Sequence, residues 1–122
     1  MAWAIDPSVN TGGVGGIVSA LAAGATQLVV EWNGDHRDLY AIGAGDKTWA
    51  FILHMWDGTN WTACKVFSSA ATGTHGDATY QNVAEVSQFC HAKGRLYVKN
   101  THATDAAAIR LYVNPIERLD VA

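Results

Sequence analysis

The chain has 122 residues, a formal net charge of −3 and 16% charged side chains. One domain of this size buries a core without metal or disulfide staples, and the negative balance argues against a sequence-independent grip on nucleic-acid phosphates. The chain opens with no basic region followed by an apolar core, and no apolar run reaches the ~20 residues of a bilayer span, so neither a secretory leader nor a membrane partner is expected. Tryptophan is common, at five residues. With so little charge, these rings either fill a core or are covered in an assembly.

Residues 1–16 read as an extended N-terminal arm ahead of one domain, 17–122. Trp3 and Ile5 are isolated apolar residues before Asp6-Pro7, and Thr11-Gly-Gly-Val-Gly-Gly16 is too glycine-rich to hold regular structure by itself. Such an arm is ordered by a partner, with Trp3 and Ile5 as anchors, or packs on its own domain. Ile17–Ala23 fits a helical face or a short strand entering a turn at Gly24-Ala-Thr26. The strand is preferred, because Gln27–Asn33 clearly alternates: Leu28, Val30 and Trp32 against Val29, Glu31 and Asn33. Arg37–Ile42 is a further strand, with Leu39 apart from Tyr40 and Ile42, and Gly43-Ala-Gly-Asp46 leads onward.

Thr48–Phe67 reads as a hairpin. Aromatic and β-branched residues fill both arms, and Asp57-Gly58 supplies the positive φ of a tight turn. A two-residue and a four-residue loop give the same faces. Trp49, Phe51, Leu53, Met55, Thr62, Cys64 and Val66 form a core face, and Ile52, His54, Trp56, Trp61, Ala63 and Lys65 the other. Ser68–Asp77 is a loop, Thr79–Val83 a strand, and Ala84–His91 suits a helical turn on Val83, Val86 and Phe89 or Cys90. Arg-Leu-Tyr-Val then occurs twice, at 95–98 and 110–113. Leu96, Val98, Ile109, Leu111 and Val113 point one way; Arg95, Tyr97, Lys99, Arg110 and Tyr112 point the other. The two strands, joined by Thr101–Ala108, read as an antiparallel pair closed by Pro115. A polar tail follows from Glu117. Seven or eight short strands without a long helix predict an all-β antiparallel sandwich or jelly roll.

No catalytic chemistry is legible, and an enzyme is not expected. The five histidines, His36, His54, His75, His91 and His102, lack the i,i+2 or i,i+4 spacing of a local metal site, and there is no Cys-x-x-Cys, so neither metal nor cofactor is expected. Cys64 and Cys90 could pair, but with no secretory leader expected they read as reduced, partly buried thiols, Cys64 on the apolar face. No serine sits in a Gly-x-Ser-x-Gly elbow, and Asp35, Asp38, Asp46 and Asp57 all fall in turn sequences. Two surfaces remain as candidates. One carries Trp56 and Trp61, which suit a sugar ring or a subunit interface. The other carries Arg95, Tyr97, Lys99, Arg110 and Tyr112, and either meets an acidic partner or is simply solvated.

Three segments carry a resemblance. Trp-Asp-Gly-Thr-Asn-Trp at 56–61, Leu-Ala-Ala-Gly-Ala-Thr-Gln-Leu-Val-Val at 21–30 and Gly-Arg-Leu-Tyr-Val-Lys-Asn at 94–100 resemble phrases of bacteriophage virion β-sandwich proteins. Such domains serve as capsid decoration (cement) proteins, tail appendages and sugar binders. The resemblance implies a decoration protein made in the host cytoplasm and carried on the capsid surface of the virion. Its partners would be the major capsid protein and its own copies, with a trimer favoured. The alternative is a carbohydrate-binding module that uses Trp56 and Trp61. The resemblance assigns no individual residue a role.

Overall fold

The computed structural model describes residues 14–34, 37–71, 80–90 and 92–117. Among them run strands β1 (Val14–Leu21), β2 (Thr26–Asn33), β3 (Arg37–Gly45), β4 (Trp49–Trp56), β5 (Trp61–Ser68), β6 (Ala70–Ala71), β7 (Tyr80–Glu85), β8 (Lys93–Asn100) and β9 (Ala107–Glu117). A short 3-10 helix spans Ser87–Phe89, where the sequence predicts a helical turn. The strands form two antiparallel sheets, in the orders β1-β9-β3-β7-β6 and β2-β8-β4-β5. Leaving aside the two-residue β6, four strands face four in the order of a jelly roll. The chain is thus an all-β sandwich, with a core that draws on both inner faces, from Val18, Leu39, Ile109 and Val113 to Phe51, Leu53, Leu96 and Val98.

Two buried tryptophans fill gaps left by glycines. Trp49 on β4 occupies the space that Gly43 and Gly45 leave open on β3 of the facing sheet. Its indole N–H donates to the carbonyl of Tyr80 at 2.7 Å. Trp32 on β2 lies against its cross-strand neighbour Gly94 and donates to the carbonyl of Phe89 at 3.1 Å. Both polar tips are therefore satisfied within the core, as buried indoles require. Buried Asn100 closes the far end of β8: its amide donates to the carbonyls of Leu21 and Asp105, and its oxygen accepts from the His102 N–H. There the chain leaves one sheet for the other.

That crossing overturns one expectation. β8 pairs with β2 and β4, whereas β9 pairs with β1 and β3. The two Arg-Leu-Tyr-Val strands are not a hairpin but central strands of opposite sheets. Their apolar residues face each other across the core, and their polar faces point in opposite directions. Nor does Pro115 end β9, which runs to Glu117 with Pro115 opposite Leu39. Among the described residues, pairing with β1 extends as far as Val113. Strand β1 begins at Val14, within the stretch read as an arm, because pairing with β9 supplies the order that Gly15 and Gly16 lack alone.

The β4–β5 hairpin turns through the four-residue loop and pairs Trp56 with Trp61. Asp57 accepts the Thr59 and Asn60 N–H groups and the Thr62 hydroxyl, and Gly58 takes φ +99. The inner face of β4 is as expected, with Trp49, Phe51 and Leu53 buried. Strand β5 departs from expectation at Cys64. Ala63 pairs with His54 but Lys65 pairs with Leu53, so Cys64 is an extra, bulged residue. A bulge reverses the faces beyond it. Val66 therefore turns outward, 58% exposed, and Phe67 packs on the core instead. Cys64 and Thr62 are exposed on this edge strand rather than buried. A register shift likewise breaks the alternation of β2, where Val29, Val30, Glu31 and Trp32 are all buried.

A Cβ built on Gly94 would stand 2.6 Å from Trp32 Nε1 and closer to its ring carbons. Gly94→Ala should therefore lower stability by about 1–3 kcal/mol, measured by urea denaturation. Trp32→Phe in the same background should recover part of that loss, whereas an unchanged midpoint for Gly94→Ala would refute the packing.

Candidate functional site

The outer face of the β2-β8-β4-β5 sheet is built by the strand partners of core residues. Because Trp49, Phe51 and Leu53 turn inward, Ile52, His54 and Trp56 turn outward. Because Leu96 and Val98 turn inward, Lys93, Arg95, Tyr97 and Lys99 turn outward. Cross-strand register then assembles rows. Glu31, Arg95, His54 and Ala63 lie side by side across the four strands, with Leu28, Tyr97, Ile52 and Val66 as the next row.

The side chains near the hairpin turn form a connected cluster. Trp56 and Trp61 meet edge to face, with centroids 5.5 Å apart. The Arg95 guanidinium lies over the Trp61 ring at 3.9 Å. Lys93 Nζ stands 5.4 Å from the Trp56 centroid and 5.7 Å from that of Trp61. These distances are those at which a cation is drawn to an aromatic face. Arg95 Nε also donates to Glu31 Oε1 at 2.7 Å, and its Nη1 reaches the Tyr97 hydroxyl at 3.4 Å. Glu31 is 6% exposed and the Arg95 side chain 23%, so the pair is only weakly screened.

The electrostatics follow from these contacts. Burial alone would disfavour the charge on Arg95, but the hydrogen bonds to Glu31 and Tyr97 and the Glu31 charge outweigh it and raise its pKa. The His54 and Tyr97 rings meet at a tilt of 57°, with centroids 4.7 Å apart. Partial burial, then the Arg95 charge, hold its pKa below the ordinary 6.5. The hydrogen bonds from Asn60, Thr59 and Thr62 hold the Asp57 carboxyl below the usual carboxylate range.

Two surfaces that the sequence treats separately are regrouped. Trp56, Trp61, Arg95, Tyr97 and Lys99 share this one face. Arg110 and Tyr112 do not: they line a shallow groove on the outside of the other sheet, beside Ile42 and Gln81. Trp3 and Ile5 lie outside the described residues. Lys65 leaves the tryptophan face because of the bulge, and its ammonium sits 5.1 Å from the Phe67 ring. Sequence reasoning missed Lys93, Glu31 and Val66. Lys93 was accessible by extending the Arg95–Lys99 alternation back by two residues. Glu31 could not be paired with Arg95, 64 positions away, without knowing the strand order. Among the described residues no group of three or more His, Cys, Asp or Glu side chains is placed to hold a metal ion.

No protein-family profile matches the chain, and no curated protein matches it. Among solved structures, the chain is similar to the crystal structure of PirA, at 14% identity and a TM-score of 0.47, over 82% of this chain and 92% of that one. It is also similar to a chain from Bacillus endospore appendages, described as a novel family of disulfide-linked pili, at 14% identity and a TM-score of 0.41, over 86% and 88% of the two chains.

His54 makes a pH prediction. Its folded pKa lies below 6.5, so the unfolded chain takes up the proton first and stability falls as pH drops through and below that value. Between about pH 7.5 and about pH 5, the parent should lose more of its melting temperature than His54→Gln does. Equal losses would show that His54 titrates without constraint.

Proposed function

We propose that this chain is a non-enzymatic structural protein of a phage-type virion, which decorates and stabilises the capsid as a homo-oligomer. It docks on the major capsid protein through the outer face of its four-stranded sheet. The observation that carries the reading is the Trp56–Trp61–Lys93–Arg95 cluster, which is accessible yet held in place by its own contacts. Tryptophan and arginine dominate the energetics of protein interfaces. A surface already ordered before contact loses little side-chain entropy on binding. Val66 and Ile52 extend the face as an apolar row. The choice of a capsid as the partner rests on the resemblance of segments 21–30, 56–61 and 94–100 to virion β-sandwich proteins. Binding to the assembled shell and not to free subunits stabilises the shell by mass action.

The same geometry weighs against the carbohydrate alternative. A sugar stacks on an open indole face, but Arg95 covers one face of Trp61, and Trp56 meets Trp61 edge-on. The nearest turn carboxylate, Asp57, already accepts three hydrogen bonds, which leaves it poorly placed to receive sugar hydroxyls.

Trp56→Ala and Trp61→Ala, made separately, should each weaken co-sedimentation with capsids of the encoding virus by about thirtyfold, the equivalent of about 2 kcal/mol, with circular dichroism unchanged. Parental capsid binding together with lost glycan-array binding would establish the carbohydrate reading instead. Unfolding of both variants would mean that the rings serve the fold.

A further inference from the structure

We infer that the outer face of the four-stranded sheet is a carboxylate-receiving surface, and that the partner it fits is an acidic protein surface engaged by Lys93, Arg95 and Lys99. The inference rests on the docking reading above and adds the chemistry of the partner. It also changes the part played by the tryptophans: Trp56 and Trp61 are positioning residues that seat two of the cations.

Charge is the first argument. Among its described residues this face carries Lys93, Arg95 and Lys99 against one carboxylate, Glu31, a local excess of two positive charges on a chain of formal net charge −3. Lys93 and Arg95 lie at the aromatic cluster, beside Glu31 and the turn carboxylate Asp57, and Lys99 extends the row of cations along β8, opposite Thr26 and Ala50. Lys93 and Lys99 form no salt bridge among the described residues, where the ion pairs are Lys47–Asp105 and Arg95–Glu31. Complementary potential is how interfaces select partners and speed encounter.

Geometry is the second. The Arg95 guanidinium is fixed on three sides, by Glu31 at Nε, Tyr97 at Nη1 and the Trp61 ring beneath it. Its Nη2 edge donates to no described group, and a planar guanidinium edge suits a carboxylate oxygen. The Lys93 ammonium sits above both indoles, which orient it while leaving its protons for an acceptor. Two cations held in place in this way bind with less ordering cost than mobile surface lysines.

Other occupants fit less well. A second copy offering the same face would set Lys93 and Arg95 against their own counterparts, at a cost in repulsion. Single-stranded nucleic acid needs open ring faces for base stacking, and Arg95 already covers Trp61.

The test uses the full chain and a short poly-L-glutamate as the probe, followed by calorimetry and by the indole N–H signals in nitrogen-15 NMR spectra. The probe should shift the Trp56 and Trp61 signals but not those of Trp32 and Trp49, with an affinity that falls as salt rises. Lys93→Ala and Lys99→Ala should each weaken binding by roughly three- to tenfold, with Arg110→Ala on the opposite sheet unchanged. Trp61→Leu should weaken binding, and Trp61→Phe should restore it, because a ring and not merely an apolar group is required. Unmoved indoles, or an equal loss with Arg110→Ala, would overturn the inference. Tighter binding of heparin or of single-stranded DNA than of poly-L-glutamate would also overturn it, in favour of a sulfated glycan or a nucleic acid. If the Trp variants fail on capsids while the parent ignores poly-L-glutamate, the docking reading survives and this inference does not. If poly-L-glutamate binds as described but the Trp variants still bind capsids, this inference survives and the docking reading falls.

Discussion

The indole of Trp49 spans the interior of the sandwich, and much of the molecule is arranged by where it lies. It projects from β4 into the space above Gly43 and Gly45 on the facing sheet and donates to the Tyr80 carbonyl on β7. A Cβ on Gly43 would meet the Arg110 carbonyl at 2.6 Å and the Trp49 ring at 2.8 Å, so the two positions fit only as a pair of large and absent side chains. With Trp49 turned inward, the pleat of β4 leaves Ile52, His54 and Trp56 no alternative to the outer surface. The exposed cluster is thus a geometric consequence of core packing on the other side of the same strand. Trp32 fills a glycine gap within its own sheet, against Gly94 on the neighbouring strand, and sets Glu31, its neighbour in the chain, on the outward side next to Arg95.

The Glu31–Arg95 pair is best understood through position and not through stability. Taking a carboxylate and a guanidinium largely out of water costs nearly as much as their attraction returns, so such a pair adds little net stability while strongly specifying its own geometry. Here it holds the guanidinium over Trp61, 3.9 Å from the ring centroid, and Lys93 completes the arrangement above both rings. By contrast, Lys47–Asp105 is 3.6 Å long, with side chains 35% and 55% exposed, and screening leaves it little energetic weight. One ion pair organises a surface and the other decorates a loop.

Much of the strand content was legible because its causes are local. Asp57 and Gly58 define the hairpin turn by their own backbone preferences and hydrogen bonds, and the four-residue loop with Trp56 opposite Trp61 was among the registers foreseen. The inner faces of β4 and β8 follow from strict alternation, and Trp49, Leu53, Leu96 and Val98 are buried as read. Part of the candidate face was legible for the same reason: Trp56, Trp61, Arg95, Tyr97 and Lys99 were each placed outward, though on two surfaces that proved to be one. Illegible were features that one residue decides. The bulge at Cys64 flips Val66 and Lys65 with no composition signal, since a bulge is stabilised by its partner strand and not by its own sequence.

The sequence by itself determined an all-β sandwich, the hairpin, and the alternation that assigns most side chains to a face, because periodicity and turn chemistry act over a few residues. Only the tertiary structure decided which strands are neighbours. It sent β8 and β9 to opposite sheets, separated Arg110 and Tyr112 from Arg95 and Tyr97, and brought Glu31 to Arg95 across 64 positions. The physical reason is that adjacent strands share a ladder whatever their separation in the chain. Two strands with the same Arg-Leu-Tyr-Val pattern are locally indistinguishable, and only burying both apolar faces at once, with Trp49 and Trp32 in their glycine gaps, selects the arrangement that forms.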